Sequence, residues 1–229
     1  RQHLPRADLL LDSSLQLQSV ALKTQARQLR YRTIQLESAQ LEAQITPREL
    51  FITNADLATS HYRVTGSYWQ HLKTRDYRFL LSGTIDPRDL NGILREHWWQ
   101  ELWADFQFEE ALPQADLEIS GRYGGGRGHR LMYGSIELPR LSFRGVPLDG
   151  ARARLWSRGW FLRLLDFEID QRGDDGKALL DLEFRHTPER RGRLYASFRG
   201  HTTLPLEQAA IICGPETVAV TEDIQVSGN

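Results

Sequence analysis

The strongest constraint on the fold is an alternation of apolar and polar residues that recurs from one end of the chain to the other. Residues 115–123 read ADLEISGRY, and the same pattern occurs at 15–18, 39–45, 77–81, 165–170, 180–185 and 194–199. Successive side chains of a β-strand point to opposite faces of the sheet, so each segment would have one apolar and one polar face. Strands of a parallel sheet are instead apolar on both faces. The pattern therefore predicts an all-β protein with an antiparallel sheet.

Turn signals separate these segments. The run Asp174-Asp175-Gly176 contains the Asp-Gly pair that favours a type I′ hairpin turn. Connections rich in glycine or containing proline follow the same logic at 124–128, 149–150 and 188–192. Strands spaced this closely favour a long antiparallel meander. A chain of 229 residues is within the range of one such unit, so we expect residues 1–229 to form a single β-rich segment.

Helix signals are few and local. Asp86 and Pro87 supply a cap residue and a proline at the first helical position, and they predict a helix over about 87–96. Further short helices are expected at 98–104 and 205–212. These elements also form an imperfect repeat, because a strand, a glycine, a short helix and a closing Ser-Gly strand occur in that order at 77–121 and again at 194–228.

Composition limits the classes of function. A formal net charge of −1 and a pI of about 6.7 give no electrostatic basis for binding nucleic acid. Cys213 stands alone, so the chain has no internal disulfide framework and no thiolate metal cluster. No segment approaches the roughly 18 apolar residues that a membrane helix needs, and no signal peptide is recognisable. Because the chain opens at Arg1 and closes on a stretch that reads as a strand just ending, we expect a piece of a longer protein.

The side chains that carry enzyme chemistry form no recognisable motif. The seven histidines lack the spacing of metal ligands, and there is no G-x-S-x-G nucleophile motif. The loop at 124–128 lacks the strand-to-helix context of a phosphate loop, and 170–176 lacks the closing glutamate of a calcium loop. His129, in the glycine-rich loop, is expected to be solvated. We therefore predict a non-enzymatic protein without a cofactor or a bound metal.

The most site-like cluster combines aromatic and acidic residues. Its members are Trp98, Trp99, Trp103, Asp105, Phe106, Phe108, Glu109 and Glu110. Indole rings beside carboxylates would suit carbohydrate stacking, or an enzyme site if the acids converged in a cleft. The interpretation that we favour is that the aromatic residues plug one end of the sheet and the acids lie at its rim. The three acids and His129 are then predicted to be individually dispensable.

Four stretches resemble the AsmA-like superfamily, which includes TamB-like and related long envelope proteins. They are residues 50–69, 83–94, 98–121 and 143–155. Members carry comparable phrases: a V-x-G-S hairpin, as at 64–67; a G-T-x-D-P helix start, as at 83–87; and an F-x-G-V-P-L-D strand opening, as at 143–149. The resemblance covers most of the chain and rests on these phrases, not on a catalytic signature.

The resemblance implies a sheet curled into a taco-like groove in the bacterial periplasm, with phospholipid acyl chains along its apolar face. It implies a role in lipid transport and outer-membrane biogenesis, contacts with other envelope proteins, and a parent protein anchored in the inner membrane by a segment absent here. Acyl chains would lie along Phe79, Leu81, Leu117, Ile119, Phe167, Ile169, Leu182, Phe184, Leu194 and Phe198.

The sequence leaves open what covers the apolar face. A second sheet or the curl of the sheet itself would give an ordinary core, whereas lipid would give a function. The alternative to the lipid groove is a closed β-sandwich that binds carbohydrate or a protein partner through the aromatic residues at 98–103.

Overall fold

The prediction of an all-β, antiparallel fold is confirmed. A computed structural model describes residues 6–31, 34–92, 103–109, 111–125, 129–159, 161–171, 176–186, 194–214 and 218. Fourteen strands form one antiparallel sheet, a curled meander that is not closed into a barrel. All the described strands belong to this one sheet.

The strands follow one another along the chain with short connections, except for the longer connection between β6 and β7. They are β1 (Arg6–Leu11), β2 (Leu17–Tyr31), β3 (Ile34–Ile45), β4 (Glu49–Ala58), β5 (Arg63–His71), β6 (Asp76–Thr84), β7 (Phe106–Phe108), β8 (Gln114–Arg122), β9 (Leu131–Leu138), β10 (Leu141–Phe143), β11 (Val146–Arg158), β12 (Phe161–Gln171), β13 (Lys177–His186) and β14 (Leu194–Thr202). Neighbours in sequence are neighbours in the sheet, except that the short strands β7 and β10 lie off this path and pair with each other. β10 also pairs with the first residues of β11.

The pairing register places the alternating apolar residues of neighbouring strands on the same side. Phe79 pairs with Ile119, and Leu81 pairs with Leu117. Residues directly opposite in an antiparallel pair project from the same face, so the apolar sides of β6 and β8 merge into one surface. The same holds from β8 through β9 to β11, where Ala115 pairs with Ile136, which in turn pairs with Ala153. We call this side of the sheet the apolar face and the other side the polar face.

Bulges keep the apolar residues on the apolar face where the alternation along a strand slips. In β12 the register shifts between Leu164 and Phe167, and Asp166 takes a positive φ of 49°. A bulge adds one residue to a strand, so every side chain beyond it moves to the opposite face. In β12 the apolar–polar alternation of the sequence slips by one residue at the same place, and the apolar residues therefore stay on the apolar face. A second shift, between Ile52 and Ala55, has the same effect in β4.

Two glycines allow neighbouring strands to approach very closely. Gly134 has a φ of 158°, and a Cβ built there would lie 1.9 Å from the carbonyl oxygen of Asp116 on β8. Gly83 has a φ of 141°, and its Cβ would lie 2.3 Å from the carbonyl oxygen of Arg63 on β5. Only a residue without a side chain fits at such contacts, which are typical of tight bends in a coiled sheet.

The two ends of the strands differ. At one end, which we call the turn end, hairpin turns join β3 to β4, β5 to β6 and β11 to β12. At the other end, which we call the insertion end, the chain adds extra elements: a 3-10 helix (Pro87–Gly92), the β7–β10 ladder and helix α1 (Leu206–Cys213). Tyr62 is buried here, and its hydroxyl donates to Oδ2 of Asp89 at 3.0 Å. This bond fastens the β4–β5 turn to the 3-10 helix.

The main packed core of the described residues lies under these insertions. It comprises Trp103, Leu138, Leu141, Val146, Leu148, Ala151, Ile169, Ala178 and Leu204. Leu141 is 0% exposed, and the side chains of Phe106, Phe108, Ala209 and Ile212 pack against the cluster. The insertions therefore cover part of the apolar face. We call this packed cluster, which combines residues of the insertions with residues of the strands that they cover, the cap.

The predicted helices are found where the structure describes them. A 3-10 helix runs over Pro87–Gly92, while 93–96 lies outside the described residues. Of the second predicted helix, Trp103 and Ala104 are described and are helical. Helix α1 matches the third prediction. The closing strand of the second repeat copy falls outside the described residues, so the repeat stays a prediction.

Candidate functional site

The candidate site is the part of the apolar face that the cap does not reach. It is built from β5, β6, β8 and β9, and it includes the predicted residues Phe79, Leu81, Leu117 and Ile119. All four side chains are half-buried in the sheet. Among the described elements, these strands make their main contacts with their hydrogen-bonded neighbours in the sheet. The structure therefore brings these four residues together on one apolar surface that is less deeply buried than the cap.

The other predicted lipid contacts have different surroundings. Ile169 is only 2% exposed and belongs to the cap, against which Phe167 also packs. As the fold stands, Ile169 is part of a closed core and cannot line an open surface. Leu182 pairs with Phe198 in the ladder between β13 and β14, and Phe184 and Leu194 lie on the same two strands. The side chains of these last four residues lie outside the described part of the structure.

A row of aromatic rings continues the apolar surface towards the turn end. The ring centroids of Tyr68 and Phe79 are 4.5 Å apart, those of Tyr77 and Phe79 are 5.5 Å apart, and those of Tyr77 and Tyr123 are 4.5 Å apart. The Tyr68 hydroxyl lies 2.8 Å from Oε1 of Gln70 and 3.2 Å from the Tyr123 hydroxyl. Tyr68, Tyr77 and Tyr123 form what we call the tyrosine rim. Tyr77 and Tyr123 lie on the apolar sides of the alternating segments 77–81 and 115–123, but the alternation does not predict that the two rings meet each other and Tyr68.

Two tyrosines of the rim, Tyr68 and Tyr77, are partly buried, whereas Tyr123 is exposed. Burial raises the pKa of Tyr68, and the hydrogen bond to Tyr123 raises that pKa further. Burial also raises the pKa of Tyr77, although the positive charge of Arg130 acts in the opposite direction. Burial stabilises the neutral phenol over the phenolate, so Tyr68 and Tyr77 present neutral hydroxyl groups at physiological pH.

The polar face carries cross-strand ion pairs. Arg78 donates to Glu118 through Nε at 2.7 Å and Nη2 at 2.8 Å. Arg122 donates to Asp76 through Nε at 2.7 Å and lowers the pKa of that carboxyl. Arg152 pairs with Glu168 between β11 and β12. Exposed pairs of this kind add little stability, but they keep the polar face in water and so fix which side of the sheet is apolar.

The polar face also holds a shallow trough of about 870 Å³. Its floor includes Gly66 and Gly134, and Tyr133 and Trp156 stand beside each other in register along it. These two rings are 58% and 37% exposed. They form an exposed aromatic pair on the polar face, and the alternation alone did not identify it.

The aromatic and acidic cluster is divided between the cap and its rim. Trp103 is 6% exposed and lies 4.9 Å from Phe106 between ring centroids, so it plugs the insertion end and offers no stacking surface. Asp105 accepts a hydrogen bond from Nε of Arg144 at 2.8 Å. Glu109 and His129 are exposed, and Trp98, Trp99 and Glu110 lie outside the described residues. Around Trp103, the structure supports the plug and not the carbohydrate platform.

Within the described ranges, no three acidic, histidine or cysteine side chains are grouped to hold a metal ion. The helices described for this chain include none with the length and apolar character needed to cross a membrane.

Comparison with known proteins gives no relative. No protein family model, no curated protein and no solved structure matches the chain. The function must therefore be inferred from the geometry of the sheet itself.

Proposed function

We propose that this chain is a non-enzymatic segment that accommodates phospholipid acyl chains on its apolar face. The observation that carries the proposal is the contrast between the two parts of that face. Within the cap, residues such as Leu141 and Ile169 are almost fully buried. On β6 and β8, the equally apolar residues Phe79, Leu81, Leu117 and Ile119 keep part of their surface accessible.

The energetics favour a lipid over water on such a surface. Each methylene removed from water contributes about 0.8 kcal/mol, so an acyl chain lying on the sheet would be held by several kcal/mol. From Tyr77 to Gly83, β6 rises about 3.3 Å per residue, or about 20 Å in all. One leaflet of a bilayer core is about 15 Å thick. An extended acyl chain therefore has room between the tyrosine rim and the insertion end.

The wider setting of the proposal comes from the resemblance to AsmA-like proteins. In that setting the segment would lie in the periplasm, as part of a protein anchored in the inner membrane. It would take part in lipid transport and outer-membrane biogenesis, together with other envelope proteins.

The test uses two adjacent residues on opposite faces. Leu81→Glu places a carboxylate on the apolar face, whereas Leu80→Glu places the same group on the polar face, where Leu80 is already 41% exposed. Both variants and the wild type would be purified under mild conditions, and bound lipid would be extracted and measured by mass spectrometry. We expect lipid on the wild type and on Leu80→Glu, and much less on Leu81→Glu. Equal lipid on both variants, or lipid-free wild type, would contradict the proposal.

The trough on the polar face supports a second candidate function. Exposed tyrosine and tryptophan rings side by side are suited to stacking on sugar rings, with Glu118 and Arg154 nearby to accept and donate hydrogen bonds. A carbohydrate-binding module would therefore use Tyr133 and Trp156, and not Trp103. Titration with neutral oligosaccharides, followed by tryptophan fluorescence, tests this candidate. Binding that is lost in Trp156→Ala but kept in Leu81→Glu would favour it.

A further inference from the structure

The tyrosine rim is bordered by two arginines. Tyr123 donates its backbone N–H to the carbonyl oxygen of Arg75 at 3.0 Å, and a Cβ built on Gly124 would lie 4.0 Å from Nη1 of Arg75. Arg130 is close enough to Tyr77 for its charge to act on the phenol. Both arginines therefore lie at the turn end of the sheet, next to residues of the tyrosine rim.

The charges of these two arginines are not neutralised locally. The nearest acid on the same hairpin, Asp76, is engaged by Arg122 at 2.7 Å and by the Thr74 hydroxyl at 2.6 Å. No carboxylate within the described part of the chain forms an ion pair with Arg75 or Arg130.

The insertion end has the opposite character. Arg140 pairs with Asp149, Arg144 pairs with Asp105, and Arg88 pairs with Asp86. The arginines there are matched by acids, so uncompensated positive charge beside the apolar face is found at the turn end.

We propose that Arg75, Arg130 and the tyrosine rim bind the phosphate group of a lipid whose acyl chain lies on the neighbouring apolar surface. This inference rests on the proposed function and adds the orientation of the lipid and the class of its headgroup. Guanidinium groups donate to phosphate oxygens in a planar fork, and neutral tyrosine hydroxyls donate further hydrogen bonds. Phe79 contacts the rings of Tyr68 and Tyr77, so a chain attached to that phosphate would begin on the rim and continue along Phe79 and Leu81. The headgroup would lie at the turn end, and the tail would point towards the cap.

The experiment compares three probes: a short-chain phosphatidylglycerol, a diacylglycerol with the same acyl chains, and glycerol phosphate. Each is titrated into the wild type, into Arg75→Gln/Arg130→Gln, and into a control, Arg140→Gln/Arg152→Gln. The control removes the same two charges from positions away from the rim. Losing the charge-assisted hydrogen bonds between two exposed arginines and a phosphate should weaken lipid binding about tenfold.

We expect the wild type and the control to bind phosphatidylglycerol about tenfold more tightly than diacylglycerol. The rim variant should lose that preference while still binding diacylglycerol. Equal binding of both lipids by the wild type would overturn the inference and leave the proposed function standing. Binding of neither lipid would overturn both. If glycerol phosphate bound as tightly as phosphatidylglycerol, the site would recognise a free phosphate compound, and the lipid orientation would be wrong.

Discussion

Replacing Ile169 and Leu117 by glutamate tests whether the apolar face is closed in one place and open in another. Ile169 is 2% exposed within the cap, whereas Leu117 is half-buried and faces Gly134 across the ladder. Removing a fully buried isoleucine from its apolar surroundings costs about 1.5–3 kcal/mol. Burying an unpaired polar group costs about 1–3 kcal/mol more, and a charge costs still more. The loss at Ile169 is therefore about 4 kcal/mol or more, against a total stability of about 5–15 kcal/mol for a typical domain.

At Leu117 water can reach the new carboxylate, so the expected loss is about 1–2 kcal/mol. Urea denaturation followed by circular dichroism gives the free energy of unfolding of both variants and of the wild type. A buried glutamate has a raised pKa, so Ile169→Glu should regain part of its stability as the pH falls towards 4, and Leu117→Glu should not. Losses that agree within about 0.5 kcal/mol would show that Leu117 is as well covered as Ile169. The distinction between an open and a closed part of the face would then be wrong.

Three further predictions concern stability. Leu141→Ala should cost about 2–5 kcal/mol in urea denaturation, because it leaves a cavity at the centre of the cap; a loss below 1 kcal/mol would contradict the cap as a packed core. Gly134→Ala should destabilise the sheet by more than about 2 kcal/mol, whereas Gly145→Ala, where the new methyl meets nothing within 4 Å, should cost only backbone strain of about 1 kcal/mol; similar losses would refute the close approach at Gly134. Thermal stability should fall as the pH rises above about 10. Tyrosines of the unfolded chain release their protons there, while Tyr68 and Tyr77, whose pKa values burial raises, keep theirs in the folded protein. A melting temperature that does not change between pH 9 and 11 would show that these phenols are not protected.

The alternation was sufficient to predict the sheet because it is a local property. Phe79, Leu81, Leu117 and Ile119 could be assigned to one face from their spacing alone, and the register between β6 and β8 confirms it. The same reasoning could not show that Ile169 would be covered and Leu117 would not. That difference depends on where the β7–β10 ladder and α1 fold back, which involves contacts between residues far apart in sequence.

The tyrosine rim and the trough were missed for a related reason. Tyr123 follows the last residue of β8, in a turn, and it reaches Tyr68 only because two intervening hairpins bring it there. Tyr133 and Trp156 occupy positions that the alternation assigns to the polar face, and only the register between β9 and β11 shows that they are neighbours. The plug formed by Trp103 could be anticipated, because a dense aromatic run beside a helix signal is typical of a segment that covers one end of a sheet.

Each strand on the main path contacts chiefly the strand before it and the strand after it, and this gives the sheet a modular character. In such a linear array, stability is close to a sum of terms for each hairpin and each neighbouring interface. Removing or adding two strands would preserve the direction of the next strand and the side on which its apolar residues lie. The length of the sheet could therefore change by whole hairpins without a redesign of the remainder. Local opening should begin at the outer strand β1, whose six residues are all exposed, and should spread inwards one strand at a time.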